Sequence, residues 1–329
     1  PITDVDPERR LVRTSTGEVH RYRQLVWAAD QKALYRAVDE SRITKASLRA
    51  RVRQRKVLIH DKQGGDSIFA LHLALALPPA YFRAISHGHF FHTPQANGIG
   101  TLFGPDLNRL IAQGEALRQE DRPSAQRQEG SSADMLAPDS PATGTLAPDL
   151  SAYRDALWTW AERYFSATTY EIAIPALRDE TLAPPGQTGL MASVLMDAAL
   201  FRVVRDLGWH DAFKQWCEAC MIRTLTARVY PQLADAIREQ FSYTPLSLER
   251  ITGNTHGAIT GWAFTNSEIP AVSRFTRVAT AVRTPLPNIH QAGQWTYSPS
   301  GLPISIMTGK LAADAALRGQ TPTTGSPGV

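Results

Sequence analysis

Residues 288–305 constrain the fold more than any other stretch of this chain. Asn288-Ile289-His290-Gln291-Ala292-Gly293-Gln294-Trp295 reads as a short strand running out into glycine, and Thr296 to Ser300 reads as a Ser/Pro turn. Gly301-Leu302-Pro303-Ile304 then opens a helix predicted to run from Pro303 to about Arg318. Proline suits the first helical turn because its missing N–H would have no intrahelical partner there. The remaining first-turn amides point along the axis without acceptors, so they attract an electron-rich group. Gly293 allows close backbone approach and Gly301 an unusual turn. Gly309, Ala312, Ala313, Ala315 and Ala316 are small enough for the helix to pack tightly on a sheet.

With 329 residues, 43% of them hydrophobic, the chain can build one large core or two smaller ones. No run of about 20 apolar residues is free of charge, as a membrane-spanning helix requires. Gly189 to Val204, the most apolar window, is interrupted by Asp197 and Arg202. The two cysteines, Cys217 and Cys220, are spaced as Cys-x-x-Cys, which suits redox chemistry or half a metal site. They lie in a helical pattern, Asp211 to Arg228, with no second cysteine pair. Two small core-facing residues one turn apart are therefore expected, in a reducing cytoplasm. His87, His89 and His92 alternate along a predicted strand, so they cannot converge on one metal, and no metal site is expected. No Gly-x-Ser-x-Gly elbow is present to favour a hydrolase.

The formal charge of +4 is local in origin. Arg42 to Lys56 contains seven basic residues and no acid, leaving the remainder at −3. This run is either a solvated connector or helix face, or a peripheral contact with an anionic membrane surface, where each basic residue adds ~1 kcal/mol. Nucleic acid is not an expected partner, because no reader motif accompanies the charge.

Along the chain, Ile2 to Asp6, Arg10 to Thr14 and Tyr22 to Ala28 read as strands, and Ser67 to Leu77 as a buried strand ended by Pro78-Pro79. Gly88 to His92 is a further strand, Gly100 to Arg118 a helix. Residues 120–148 turn to Ser, Pro, Ala, Gly, Gln and Asp and read as a flexible loop. Helix signals return at Leu150 to Tyr164, strands at Thr169 to Ile174 and Gln187 to Met196, and helix again over Trp209 to Phe241, broken near Tyr230-Pro231. Leu246 to Ile251 reads as a strand, and residues 319–329 as a disordered tail.

Several of these segments together resemble the phytoene desaturase and carotenoid isomerase-like branch of the flavin-dependent amine oxidase superfamily. The resemblance is carried by the Ala292-Gly293 to Gly301-Leu302-Pro303 segment, by Tyr170 to Asp179 followed by Ala183-Pro184-Pro185-Gly186, and by Tyr230-Pro231. Thr244-Pro245, Glu249-Arg250, Gly257 and Gly261 follow in the family's order, and Leu25 to Asp30 resembles a strand ending in Ala-Ala-Asp. It is strong over Tyr170 to Leu317 and weak over Pro1 to Pro94. Gln294 stands where many relatives carry an acid; a neutral amide still hydrogen-bonds. The Gly-x-Gly-x-x-Gly fingerprint that carries the dinucleotide pyrophosphate is absent from the 329 residues, so the resemblance implies an enzyme seen without its N-terminal portion.

The fold implied is α/β: a partial Rossmann-like FAD-binding domain, residues 1–41 and 285–318, with an inserted mixed-sheet and helix (α+β) substrate domain at 42–284. The function implied is FAD-dependent desaturation or isomerisation of a carotenoid-like or other apolar substrate. An amine oxidase-like enzyme and a cofactor-free module keeping the fold are the alternatives. Gly293, Gln294, Gly301, Leu302, Pro303 and Ile304 are the expected flavin contacts. In the loop Gly253 to Phe264, Trp262 and Phe264 either wall an apolar tunnel or pack in a core. His256 is either an acid–base group or a polar residue satisfied nearby. No catalytic residue is assigned, because a flavin performs its own redox step.

Overall fold

The computed structural model describes residues 1–120 and 148–319. The expected loop at 120–148 and tail at 319–329 lie, apart from their boundary residues, outside the described residues. The chain forms two compact units, one from Pro1–Ser67 with Pro245–Val329 and the other from Ile68–Thr244. The second is thus inserted into the first. The packing boundaries fall elsewhere than 41/42 and 284/285: residues 42–67 and 245–284 pack with the chain's two ends, because their apolar side chains share that core.

The first unit opens with three antiparallel strands, β1 (Ile2–Asp6), β2 (Leu11–Thr14) and β3 (Val19–Arg21). Strand β4 (Leu25–Trp27) follows, then helix α1 (Gln31–Ala37), capped by the Asp30 carboxylate accepting from Ala33 N at 3.2 Å. The basic run lies mostly in α2 (Ala46–His60) and is largely engaged inside this unit. Arg42 pairs with Asp4 at 3.0 Å and Arg53 with Glu40 at 3.0 Å. Arg49 donates to Ile43 O, Arg55 to Gln31 Oε1 and Lys56 to Val38 O.

The inserted unit holds β5 (Ser67–Leu75), α3 (Pro79–Arg83), β6 (His89–His92), α4 (Pro105–Glu120), α5 (Pro148–Ala167), β7 (Tyr170–Ala173) and β8 (Thr188–Met196). It continues through α6 (Ala198–Asp206), α7 (His210–Arg228) and β9 (Ile237–Tyr243). The strands form one sheet in the order β6-β7-β8-β5-β9. Phe69, Leu71, Leu73 and Leu75 of β5 are buried, as are Leu157, Phe165, Phe201, Phe213 and Leu225 from the helices. Phe69 meets Phe165 and Phe201 at centroid separations of 6.1 and 6.0 Å. Cys217 and Cys220 are buried free thiols on α7, and burial pushes Cys217 well up and Cys220 up to about 11, so neither is a ready thiolate.

Two expectations are corrected here. Helix does not resume after Tyr230-Pro231: residues 237–243 are strand β9, paired antiparallel with β5 in the register His72↔Phe241. The buried Glu218 of α7 accepts from Ser242 Oγ at 2.6 Å and from Gln240 Nε2 at 3.0 Å, which fixes that strand against the helix. Leu246 to Ile251 is likewise no strand but lies in helix α8 (Pro245–Thr252), proline at its first position and the left-handed Gly253 just past its end. The chain then returns through strand β10 (Ile289–Gln291) and helix α9 (Leu302–Arg318). Strand β10 pairs parallel with β4, and α9 packs on both.

Candidate functional site

The predicted flavin segment forms in the first unit at the carboxyl ends of a parallel strand pair. Strand β10 runs beside β4 in the register Ile289↔Leu25 to Gln291↔Trp27. The pairing continues as Ala292 N donates to Trp27 O at 2.9 Å. Gly293 then turns the chain with φ +87°, a left-handed conformation that favours glycine. Its N–H donates to the buried Thr308 hydroxyl at 3.0 Å, and that hydroxyl donates to Ile304 O at 2.9 Å. Thr308 thereby ties the turn to the first turns of α9.

The start of α9 is open. Gly301 carries no side-chain cap, and the first turn contains no acid. Leu302 is 74% exposed, and its neighbours Pro303 and Ile306 are exposed as well. Ser305 N donates to Gly301 O, which leaves the Leu302 and Ile304 amides without acceptors among the described residues. Gly301 itself corrects the expectation of an unusual turn. Its φ of 164° is extended backbone open to any residue, and an added Cβ would meet only Pro303 Cδ, at 3.9 Å.

Around this mouth the loop of residues 254–262 is woven into the same unit. Asp30 Oδ2 accepts from Thr255 N at 2.7 Å, and Trp295 Nε1 donates to Asn254 Oδ1 at 3.2 Å. The Gln294 amide donates to Ala258 O at 3.0 Å, so its nitrogen is already engaged. His256, at φ +62°, accepts at Nδ1 from Gly64 N at 3.3 Å and donates its own N–H to Glu249. The imidazole is thus hydrogen-bonded within this unit. Trp262 is a core residue, 2% exposed, with its ring edge-on to Trp295 at 4.9 Å and its indole N–H donated to Trp295 O. Phe264, by contrast, is 67% exposed. The two aromatics thus differ in placement, one packed in the core and the other at the surface.

A second surface carries no cue in the sequence. In the inserted unit one face of the five-stranded sheet is covered by buried side chains, and the other is not. The open face presents Phe91 from β6, Met191 and Leu195 from β8 and Phe241 from β9, all exposed. On β5 the matching positions include the half-exposed His72, whose ring stacks on Phe241 at 4.6 Å and meets Tyr243 edge-on at 5.4 Å. Strand β5 is a buried strand, as its apolar run suggested, with Ile68, His72 and Ala74 only partly covered on the open face. An antiparallel sheet with one solvated face ordinarily alternates apolar with polar. Apolar residues on both sides mark a surface that meets something apolar. Charged groups also stand on this face: Glu171 of the inner strand β7, opposite Phe91 and Ser193 and paired with His89 at 2.9 Å, and Glu239 on the edge strand β9.

Burial lowers the basicity of His72, His92 and His290, with Arg228 adding to the effect at His92. Their folded values lie below the ordinary 6.5, so between those values and 6.5 the unfolded chain binds more protons. Stability is therefore complete above about pH 6.5 and falls as pH drops through that value. Thermal melts between pH 7.5 and 5.5 should show the midpoint decline, with a shallower slope in His92→Gln; a flat profile would refute this. Among the described residues no cluster of three or more His, Cys, Asp or Glu side chains is placed to hold a metal, and no helix is long and apolar enough to cross a membrane.

Comparison with known proteins gives partial matches. No protein-family model matches the chain. A region of 149 residues, 45% of the chain, is 28% identical to the 4,4'-diapophytoene desaturase (4,4'-diaponeurosporene-forming) of Staphylococcus aureus, with the same values for strains Newman, USA300 and NCTC 8325 / PS 47. The match spans 28% of the length of those desaturases. An oxidoreductase from Methanosarcina mazei superposes with a TM-score of 0.42 at 8% identity, over 96% of this chain and 48% of that one. The desaturase similarity supports an oxidoreductase of the amine-oxidase/desaturase type.

Proposed function

We propose that this chain is the part of an FAD-dependent oxidoreductase that holds the flavin's pyrimidine edge and presents an apolar substrate, carotenoid-like or another lipid, for desaturation or isomerisation. The observation that carries the reading is the uncapped start of α9 at the carboxyl ends of β4 and β10. Ligands of open α/β sheets bind at such ends, and free helix-start amides stabilise negative charge. The donor set fits the group. The amides of Leu302 and Ile304 offer hydrogen bonds to an electron-rich carbonyl edge, with Gly293 and Gln294 beside them and no acid in the first turn to compete. When bound, the flavin supplies hydride acceptance; the chain supplies orientation, an apolar surface and the dipole of a 17-residue helix. The pyrophosphate fingerprint is absent from these residues, so that end of the cofactor belongs to other residues of the complete enzyme.

The open sheet face of the inserted unit supports an apolar substrate, because Phe91, Met191, Leu195 and Phe241 are exposed on it; Glu171 of β7 stands among them, opposite Phe91 and Ser193. A membrane contact through Arg42 to Lys56 would rest on Lys45 and Arg51, the two basic residues of that run without an internal partner among the described residues. The flavin reading is tested with Leu302→Asp in the protein expressed together with whatever sequence precedes Pro1. A carboxylate at that exposed position opposes the flavin's negative edge without disturbing the core, so FAD affinity, read by flavin fluorescence quenching, should fall about tenfold or more, on the order of 1.4 kcal/mol. Leu302→Ala should leave it unchanged. Equal affinity in Leu302→Asp, or no flavin bound by the longer protein, would overturn the reading.

A further inference from the structure

The first unit contains a cleft of about 560 Å³ that is separate from the start of α9, and its charged lining is one-sided. Arg55 from α2 and Arg274, Arg277 and Arg283 from the segment before β10 all line it, against one carboxylate, Glu268. The three later arginines are exposed and form no ion pair among the described residues. At the floor, Arg55 is half-buried; its guanidinium donates to Gln31 Oε1 at 2.7 Å and to Pro270 O at 2.5 Å, so it is held in place from behind. Beside it, Tyr35 is almost fully buried. Its hydroxyl lies near Arg55 but meets no partner in good hydrogen-bond geometry, and burial pushes its ionisation up to about 12, so it stays a neutral donor.

Four guanidiniums around one cleft repel one another unless an anion sits among them. Arginine is the side chain whose planar fork matches phosphate oxygens in paired hydrogen bonds. The formal charge of the lining is +3, four arginines less Glu268. One phosphate group carries about −1.5 to −2 and leaves positive charge uncompensated; two adjoining phosphoryl groups come closer to balance. The cleft's size is within the ordinary range of small-ligand sites. We infer that the Arg55–Arg274–Arg277–Arg283 cleft is an anion site for a diphosphate, free or esterified to a small organic group. None of these arginines belongs to the start of α9, so the site serves a ligand or effector distinct from the flavin edge.

The test is calorimetric titration of inorganic pyrophosphate into the 329-residue chain at low ionic strength, with sulfate and phosphatidate-containing vesicles as parallel arms. Saturable one-to-one binding of pyrophosphate is expected, at least tenfold tighter than sulfate. Arg274→Gln combined with Arg277→Gln should weaken it tenfold or more, the paired Arg→Lys variant less. Leu302→Asp should leave it unchanged. If the double glutamine variant melts abnormally, Arg283→Gln alone carries the test and should weaken binding at least threefold. No saturable binding, binding indifferent to these arginines, binding lost in Leu302→Asp, or binding to vesicles without binding to pyrophosphate would each overturn the assignment.

Discussion

Gly261→Ala is expected to lower the thermal midpoint by roughly 5–15 °C, taking about 2–4 °C per kcal/mol for a unit of this size. Gly261 has φ +78°, and a Cβ built on it would stand 2.2 Å from Gln294 O and 3.0 Å from Gln294 C. Both are backbone atoms, in a segment that cannot yield. Trp295, the next residue, is gripped by Trp262 and Gln31 through its carbonyl, and Gly65 N donates to Gly261 O at 2.6 Å. A left-handed alanine costs about 1–2 kcal/mol and forced overpacking about 1–3 more, so the sum is on the order of 2–5 kcal/mol. Because Gln294 is the atom pair displaced, the Gly293 turn should shift with it and flavin affinity should fall in parallel. Gly309→Ala is the control. It lies inside α9 with nothing within 4 Å of an added Cβ, and should be neutral or stabilising by about 0.5–1 kcal/mol. Differential scanning calorimetry of the two variants decides the matter: equal midpoints would mean that the loop and the turn do not approach as closely as described.

Leu195→Glu combined with Phe241→Glu is expected to reduce kcat/KM on an apolar substrate at least 100-fold while leaving the melting temperature within about 2 °C of the parent. Both side chains are exposed on the open sheet face, at 41% and 53%, so little folded-state packing is lost. Against a hydrocarbon, each carboxylate must give up water without a partner, which costs several kcal/mol, and each 1.4 kcal/mol is tenfold. Flavin content should be unaffected, since these residues belong to the inserted unit and the proposed flavin contacts to the other. A loss below threefold in the flavin-loaded enzyme would remove the sheet face from the substrate site. A fall in flavin content instead would mean that the variant disturbs the fold.

The strand–turn–helix that ends the chain was readable in advance because its cues are local. Pro303 marks a helix start wherever it stands near one, and Gly293 permits a left-handed turn irrespective of its neighbours, so the predicted helix from Pro303 to about Arg318 is found as α9, Leu302–Arg318. Gly301 shows the limit of that logic, for a glycine can sit in ordinary extended backbone. The stretch 237–243 misled for a different reason. Its charged and aromatic residues carry little strand pattern, and it becomes a strand through six residues of β5, Ala70 to Leu75, and the buried Glu218. For Trp262 the sequence left a tunnel wall and a core position both open, since the contact that turns it inward, with Trp295, lies 33 positions away.

What the order of residues settled, before any folding, was the strand–turn–helix that ends the chain, the confinement of the positive charge to one run and the core placement of the two cysteines. These rest on backbone stereochemistry and on periodicity within a few residues. The uncovered apolar sheet face, the arginine cleft assembled from α2 and the segment before β10, and the clasp between Gly261 and Gln294 came from folding alone. Each joins residues tens to hundreds of positions apart, and no short-range preference encodes such a meeting; it is decided when two compact units close around their own buried surfaces.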